Sequence, residues 1–161
     1  MLIPFKDLPG TARIWIYQSD RNFTEEETQE ITQKLGAFLE SWTAHGAGLE
    51  AAYEIRYQRF IVIGLNQDVN AASGCSIDAS VHFIQQLEKE YNVDLLDKMN
   101  VSFRQNGGIV YQSLKDFRTS VKQKTITGAT IVFNNLVVNK EAYESSWEVP
   151  ASESWHRRFF V

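Results

Sequence analysis

The chain has 161 residues, a net charge of −4, 43% hydrophobic and 22% charged residues. This length fits one domain and is enough to bury a core without covalent staples. A single cysteine excludes an internal disulfide and fits a cytoplasmic setting, Met1-Leu2-Ile3-Pro4-Phe5-Lys6-Asp7 lacks the basic and apolar regions of a secretory leader, and no stretch approaches the ~20 apolar residues of a membrane span, so no membrane partner is expected.

In chain order, residues 11–18 (TARIWIYQ) alternate and are rich in aromatic and β-branched types, which predicts a strand. Thr24 with Glu27 three residues on is a capping-box signature. Ile31, Leu35, Phe38, Leu39 and Trp42 follow at helical spacing, and the helix is expected to stop near His45-Gly46. Residues 50–57 alternate, with Ala51, Tyr53, Ile55 and Tyr57 on one face, and 59–66 (RFIVIGLN) form a nearly continuous apolar run; the two are close enough to pair as a hairpin. A second amphipathic helix is expected over 77–91, with Ile77, Val81, Ile84, Leu87 and Tyr91 inward. Residues 100–105 (NVSFRQ) read as a strand, Asn106-Gly107-Gly108 as a turn and 109–113 as the returning strand. A short helix over 114–124, with Leu114, Phe117 and Val121 inward, precedes an apolar run at 130–138. The final segment has no clear period, but its aromatic density (Tyr143, Trp147, Trp155, Phe159, Phe160) predicts a packed segment with Trp147 and Trp155 buried.

The order up to residue 106 is β-α-β-β-α-β, the split βαβ pattern. The expected fold is α+β: a ferredoxin-like βαββαβ core with an antiparallel sheet over 1–106, and a C-terminal α/β extension over 107–161 packed on it, within one domain. Right-handed crossovers put both helices on one sheet face. If Ile14 and Ile16 face the helices, Arg13, Trp15 and Tyr17 lie on the other face, where an aromatic sheet could stack single-stranded RNA. Against that, RFIVIGLN carries no aromatic-rich RNA-binding motif. Residues 1–106 hold nine Lys/Arg against fifteen Asp/Glu, and 107–161 hold seven against five. Nucleic-acid backbones need clustered cations, so nucleic acid is not the expected partner. The expectation is that the extension, or a second copy in a homodimer, covers this face. Lys115, Arg118, Lys122 and Lys124 form a local basic patch that reads as a solvated helix face.

The candidate site is Ser73-Gly74-Cys75-Ser76-Ile77-Asp78. Ser76 reads as the N-cap of the second helix, with Asp78 in its first turn and Cys75 just before it. A helix start stabilises a thiolate, and its backbone N–H groups can hold a phosphate or carboxylate. Asp78 opposes both with its own charge. The competing reading is a capped helix start with a small buried cysteine. In the expected topology the loop holding His45 and the loop holding Cys75 lie at the same end, so His45 could serve Cys75 as a base. Alternatively, His45 is a helix C-terminal residue followed by a glycine cap. His82, four residues after Asp78, reads as its ordinary helix partner, and His156 has no assigned role. No phosphate-binding GxxxxGK[ST] loop, GxSxG elbow, phosphatase-type Cys loop or cofactor motif is present, and one cysteine with three separated histidines gives no metal-binding spacing.

The stretches WTAHG (42–46), SGCSIDASVHFI (73–84), VFNNLV (132–137) and SWHRRF (154–159) resemble a family of short uncharacterised bacterial proteins often labelled "ABC transporter ATPase". The resemblance covers nearly the whole chain, and SGCSIDxS is its most specific part. The label implies nucleotide hydrolysis, but the phosphate loop that such an ATPase requires is missing, and the resemblance transfers no catalytic residue.

The reading that results is a cytoplasmic ligand- or protein-binding module with a loop-end pocket bearing His45, Ser73, Gly74, Cys75, Ser76 and Asp78, suited to a small anionic ligand. The alternative is a small thiol-dependent enzyme with Cys75 as nucleophile and His45 as base; the third is RNA binding on the sheet face.

Overall fold

In the computed structural model, which describes residues 1–161, the chain is α+β with antiparallel sheets and divides into two units: residues 1–96 with 138–141, and residues 97–137 with 142–161. In the first unit β1 (Arg13–Gln18), α1 (Glu25–Glu40), a small hairpin of β2 (Thr43–Ala44) and β3 (Ala47–Gly48), β4 (Ala51–Arg56), β5 (Phe60–Leu65) and α2 (Gly74–Tyr91) follow one another. The apolar run makes β5 the central strand, with all six residues buried. It pairs antiparallel with β1 (Arg13 opposite Leu65, Gln18 opposite Phe60) and with β4 (Ala51 opposite Leu65, Arg56 opposite Phe60), as the expected hairpin requires.

Helix α1 starts as its sequence dictates. The Glu27 N–H donates to Thr24 Oγ1 at 3.1 Å, and the Thr24 N–H donates to Glu27 Oε1 at 2.9 Å. Arg21 grips both oxygens of the same carboxylate at 2.8 Å and donates to the Tyr91 carbonyl at 2.6 Å, tying the start of α1 to the end of α2. The Arg21 guanidinium, with the Thr24 N–H, holds the Glu27 carboxyl down at about 2. Ile31, Leu35 and Leu39 of α1 and Ile84, Leu87 and Tyr91 of α2 share one core with Tyr17, Ala51, Ile61, Ile63 and Leu65. Each such aliphatic side chain contributes about 1.5–3 kcal/mol by leaving water.

Three expectations need correcting. Trp15 and Tyr17 do not lie on an open sheet face. They join the helix-side core, Trp15 edge-on to Trp42 with ring centroids 6.0 Å apart, so the aromatic platform that RNA stacking needed is occupied. Both Ile and aromatic positions of RIWIYQ are apolar, so alternation alone could not tell which set faces inward. The sheet has three strands, not the four of the ferredoxin-like expectation. The strand at 100–105 pairs in the second unit, and the free edge of β1 is met by Val138 and Asn139: the Ile14 N–H donates to the Val138 carbonyl at 3.0 Å and Arg13 bridges Asn139. The third correction concerns α2, which begins at Gly74 and buries Ser76 and Ser80 ahead of Ile84, while Ile77 is only half-buried.

The sheet face opposite the helices is covered at one end by the N-terminal segment, where Leu8, Ala12 and Ala52 cluster with Ile3 and Phe5. Gly64 on β5 permits this approach. A Cβ there would run into the Leu8 side chain and lie 3.2 Å from Ile14 Cδ1.

In the second unit β6 (Asn100–Gln105), β7 (Gly108–Ser113), β8 (Ile131–Phe133) and β9 (Glu148–Pro150) form an antiparallel sheet ordered β7-β6-β8-β9. Asn106 and Gly107 both take positive φ (52° and 79°), the hairpin geometry expected of an Asn-Gly turn. Helix α3 (Leu114–Lys122) points Phe117 into a core with Val101, Phe103, Ile126, Val132 and Ala151, against which Leu114, Val121, Trp155 and Phe159 pack. Trp147 is buried as expected; Trp155 is half-buried. No helix is long and apolar enough to cross a membrane.

Candidate functional site

Helix α1 stops at Glu40, five residues short of His45, because Trp42 turns inward and residues 43–48 fold back as the β2–β3 hairpin. His45 and Gly46 form its two-residue turn with φ of 52° and 78°. The glycine signal at position 46 was therefore a true left-handed position, serving a hairpin rather than a helix cap. The Trp42 indole N–H donates to the Ser76 carbonyl at 2.8 Å, docking this loop on the first turn of α2.

The N-cap of α2 is Ser73, not Ser76. Ser76 sits three residues on and completes a reciprocal capping box: its N–H donates to Ser73 Oγ at 3.1 Å, and the Ser73 N–H donates to Ser76 Oγ at 2.7 Å. Two serines thus replace the usual Ser–Glu pair. Consequently Cys75 occupies the second helical position. It is exposed, which overturns the reading of a buried packing cysteine. Asp78 falls beyond the first turn, is exposed, and leaves the helix start without an acidic side chain. The amide N–H groups of Gly74 and Cys75 make no hydrogen bond within the protein, as the first donors of a helix cannot.

These two loops bound a surface pocket of about 400 Å³ lined by Phe38, Ser41, Trp42, Thr43, His45, Ser73, Cys75, Ser76 and Ala79. Of the candidate residues, His45, Ser73, Cys75 and Ser76 come together here, Gly74 stands beside them in the chain, and Asp78 does not line the pocket. Its apolar wall was missed in the sequence, where Phe38 and Trp42 read simply as core positions of α1. Phe38 stacks on Phe83 at 4.5 Å and tilts against Trp42 at 5.8 Å, which fixes both rings.

His45 and Cys75 make no hydrogen bond with each other, and no carboxylate or carbonyl orients the imidazole. A thiol–imidazole pair requires both contacts, or their formation on substrate binding. His82 contacts Gln86, its partner four residues on, at 3.5 Å rather than Asp78. His156 is fully buried in the second unit, stacked 3.9 Å from the Trp155 ring, with Nδ1 2.7 Å from Ser154 Oγ and Nε2 lacking a partner. Burial, aided by the charge of Arg158, pulls its pKa down to about 4. No group of three or more His, Cys, Asp or Glu is arranged to hold a metal ion.

No family model matches this chain, and neither a curated protein nor a solved structure does.

Proposed function

We propose that the chain is a cytoplasmic binding module, and that the pocket between the β2–β3 hairpin and the start of α2 takes a small ligand with a flat apolar part and an anionic group. The observation that carries this reading is the pairing, in one pocket, of a fixed aromatic wall (Phe38, Trp42) with a helix start whose Gly74 and Cys75 amides are unpaired and which has no acidic side chain in its first turn. Such a helix start attracts negative charge, and a mostly apolar cavity with a few convergent donors is the usual form of a small-molecule site. The three strands of the first unit keep the order and directions of a ferredoxin-like sheet lacking its fourth strand, and both loops of the site lie at one end of it. The exposed, unpaired Cys75 fits a reducing compartment.

Aromatic carboxylates and aryl phosphates are the probes, read by amide and indole N–H shifts in NMR spectra. Shifts confined to Gly74, Cys75, Ser76 and the Trp42 indole are the expected result. Gly74→Pro removes one donor at a helical position that tolerates proline and has open space around it, so it should weaken binding about threefold to tenfold with the fold intact. No localised shift with any probe, or full affinity in Gly74→Pro, would refute the site. The thiol-enzyme reading is separated by alkylation of Cys75 at pH 7. His45→Asn, which keeps the left-handed turn, should leave the rate unchanged; a tenfold slowing would make the thiol enzyme the better reading.

A further inference from the structure

A second pocket, of about 370 Å³, lies wholly within the second unit and is lined by Arg118, Lys122, Arg158 and Phe159. None of the three cations is in an ion pair, and none donates a side-chain hydrogen bond within the protein. The residues of this unit hold eight Lys/Arg against five Asp/Glu, whereas the rest of the chain holds eight against fifteen. Positive charge is therefore concentrated here in an otherwise acidic protein.

The arrangement is held rather than loose. The guanidinium carbons of Arg118 and Arg158 each lie 5.4 Å from the centroid of the Phe159 ring, and Arg158 also lies 5.2 Å from that of Trp155. Phe159 is in turn packed edge-on at 5.5 Å to Phe117, which is fully buried. Contact with a ring orients a guanidinium while leaving its N–H edges free to donate. Arg118 and Lys122 are four residues apart on α3, a spacing at which like charges repel; Lys122 lies in the last turn, where the helix dipole favours a cation, and Arg118 is held against Phe159. Three exposed cations gathered in one pocket with no protein carboxylate on them leave their N–H groups available to an anion from outside.

We propose that this pocket binds the phosphate group of a small molecule, with Arg118 and Arg158 donating to its oxygens and matching the two charges of the dianion, and Lys122 adding a third positive charge at the pocket's edge. Two guanidinium forks suit a tetrahedral oxyanion better than a single carboxylate. The cations line one pocket instead of forming a track, which disfavours a nucleic-acid strand, whose affinity grows with the number of phosphates contacted.

The full chain is titrated with inorganic phosphate, pyrophosphate and phenyl phosphate, against sodium chloride of equal ionic strength, following tryptophan fluorescence and heat. Saturable binding beyond the salt control is expected. Arg118→Gln and Arg158→Gln should each weaken it about tenfold or more, and Lys122→Gln less. Tighter binding of phenyl phosphate than of inorganic phosphate would identify an organic ester packed on Phe159; equal binding would identify free phosphate. The proposal is overturned if none of the three binds beyond the salt control, if affinity is undiminished in both arginine variants, or if an oligodeoxythymidine binds more tightly than pyrophosphate with a salt dependence of several phosphates. Far-UV circular dichroism checks each variant. If one arginine variant does not fold, the other decides together with Lys122→Gln, whose side chain is exposed.

Discussion

The Trp42 indole donates its N–H to the Ser76 carbonyl across 2.8 Å, in a buried position, so the loop that follows α1 and the first turn of α2 are fastened at one point. Trp42 belongs at once to the core, at 3% exposure, and to the pocket wall. One wall of the pocket is therefore anchored in the core.

Trp42→Phe keeps most of the ring and removes the donor, leaving the Ser76 carbonyl short of a partner. A loss of about 1–3 kcal/mol in urea unfolding is expected. Trp42→Ala should cost more, about 3–5 kcal/mol, because it also opens a cavity. Equal stability of wild type and Trp42→Phe would mean that the bond contributes nothing.

His156 makes stability fall with acid in a defined window. Its folded pKa, about 4, lies below the ordinary 6.5, so the fold holds the neutral ring. Above pH 6.5 neither state is protonated and this contribution is complete. As pH falls toward 4 the unfolded chain takes up a proton that the folded chain refuses, and stability drops by up to about 3 kcal/mol. Glu27, with its carboxyl near 2, loses its contribution only below its ordinary 4.5, so the interval from pH 6.5 to 4.5 reports on His156. The wild-type profile minus that of His156→Gln should slope through this interval; parallel profiles would contradict it.

Gly64→Ala places a methyl group against Leu8 and Ile14. The N-terminal segment must shift or the strand must bend, at about 1–3 kcal/mol. A thermal melt that matches wild type would show that Leu8 yields freely.

Removing residues 140–161 takes away strand β9, Trp147 and the Lys140 ammonium, which donates to the Leu8 carbonyl at 2.7 Å. Trp147 is 2% exposed and its indole donates to Asn135 Oδ1 at 2.9 Å. The truncated chain should melt well below the full one, and Trp147→Ala alone should cost about 3–5 kcal/mol. An unchanged melting temperature in the truncated chain would refute the role assigned to this segment.

What the sequence determined by itself is local. The Thr24–Glu27 capping box, the central strand FIVIGL, the Asn106-Gly107 turn and the inward Phe117 each follow from side chains within a few positions of one another, where hydrogen bonds and spacing act without the rest of the fold. Even there Ser73 escaped notice as the N-cap, since a Ser–Ser capping box lacks the usual acidic partner. Tertiary structure alone decided matters that depend on distant partners. In RIWIYQ both faces are apolar, and only packing against α1 and α2 turned Trp15 and Tyr17 inward. The strand at 100–105 makes the expected hairpin with β7, but its other edge is taken by β8 rather than by β1, a pairing between segments distant in sequence that leaves no local signal. The pocket's aromatic wall and the union of Arg118 with Arg158, forty residues apart, arise for the same reason: these side chains meet through the packing of Trp42 on α2 and of Phe159 on Phe117, contacts whose sequence separation leaves no local trace.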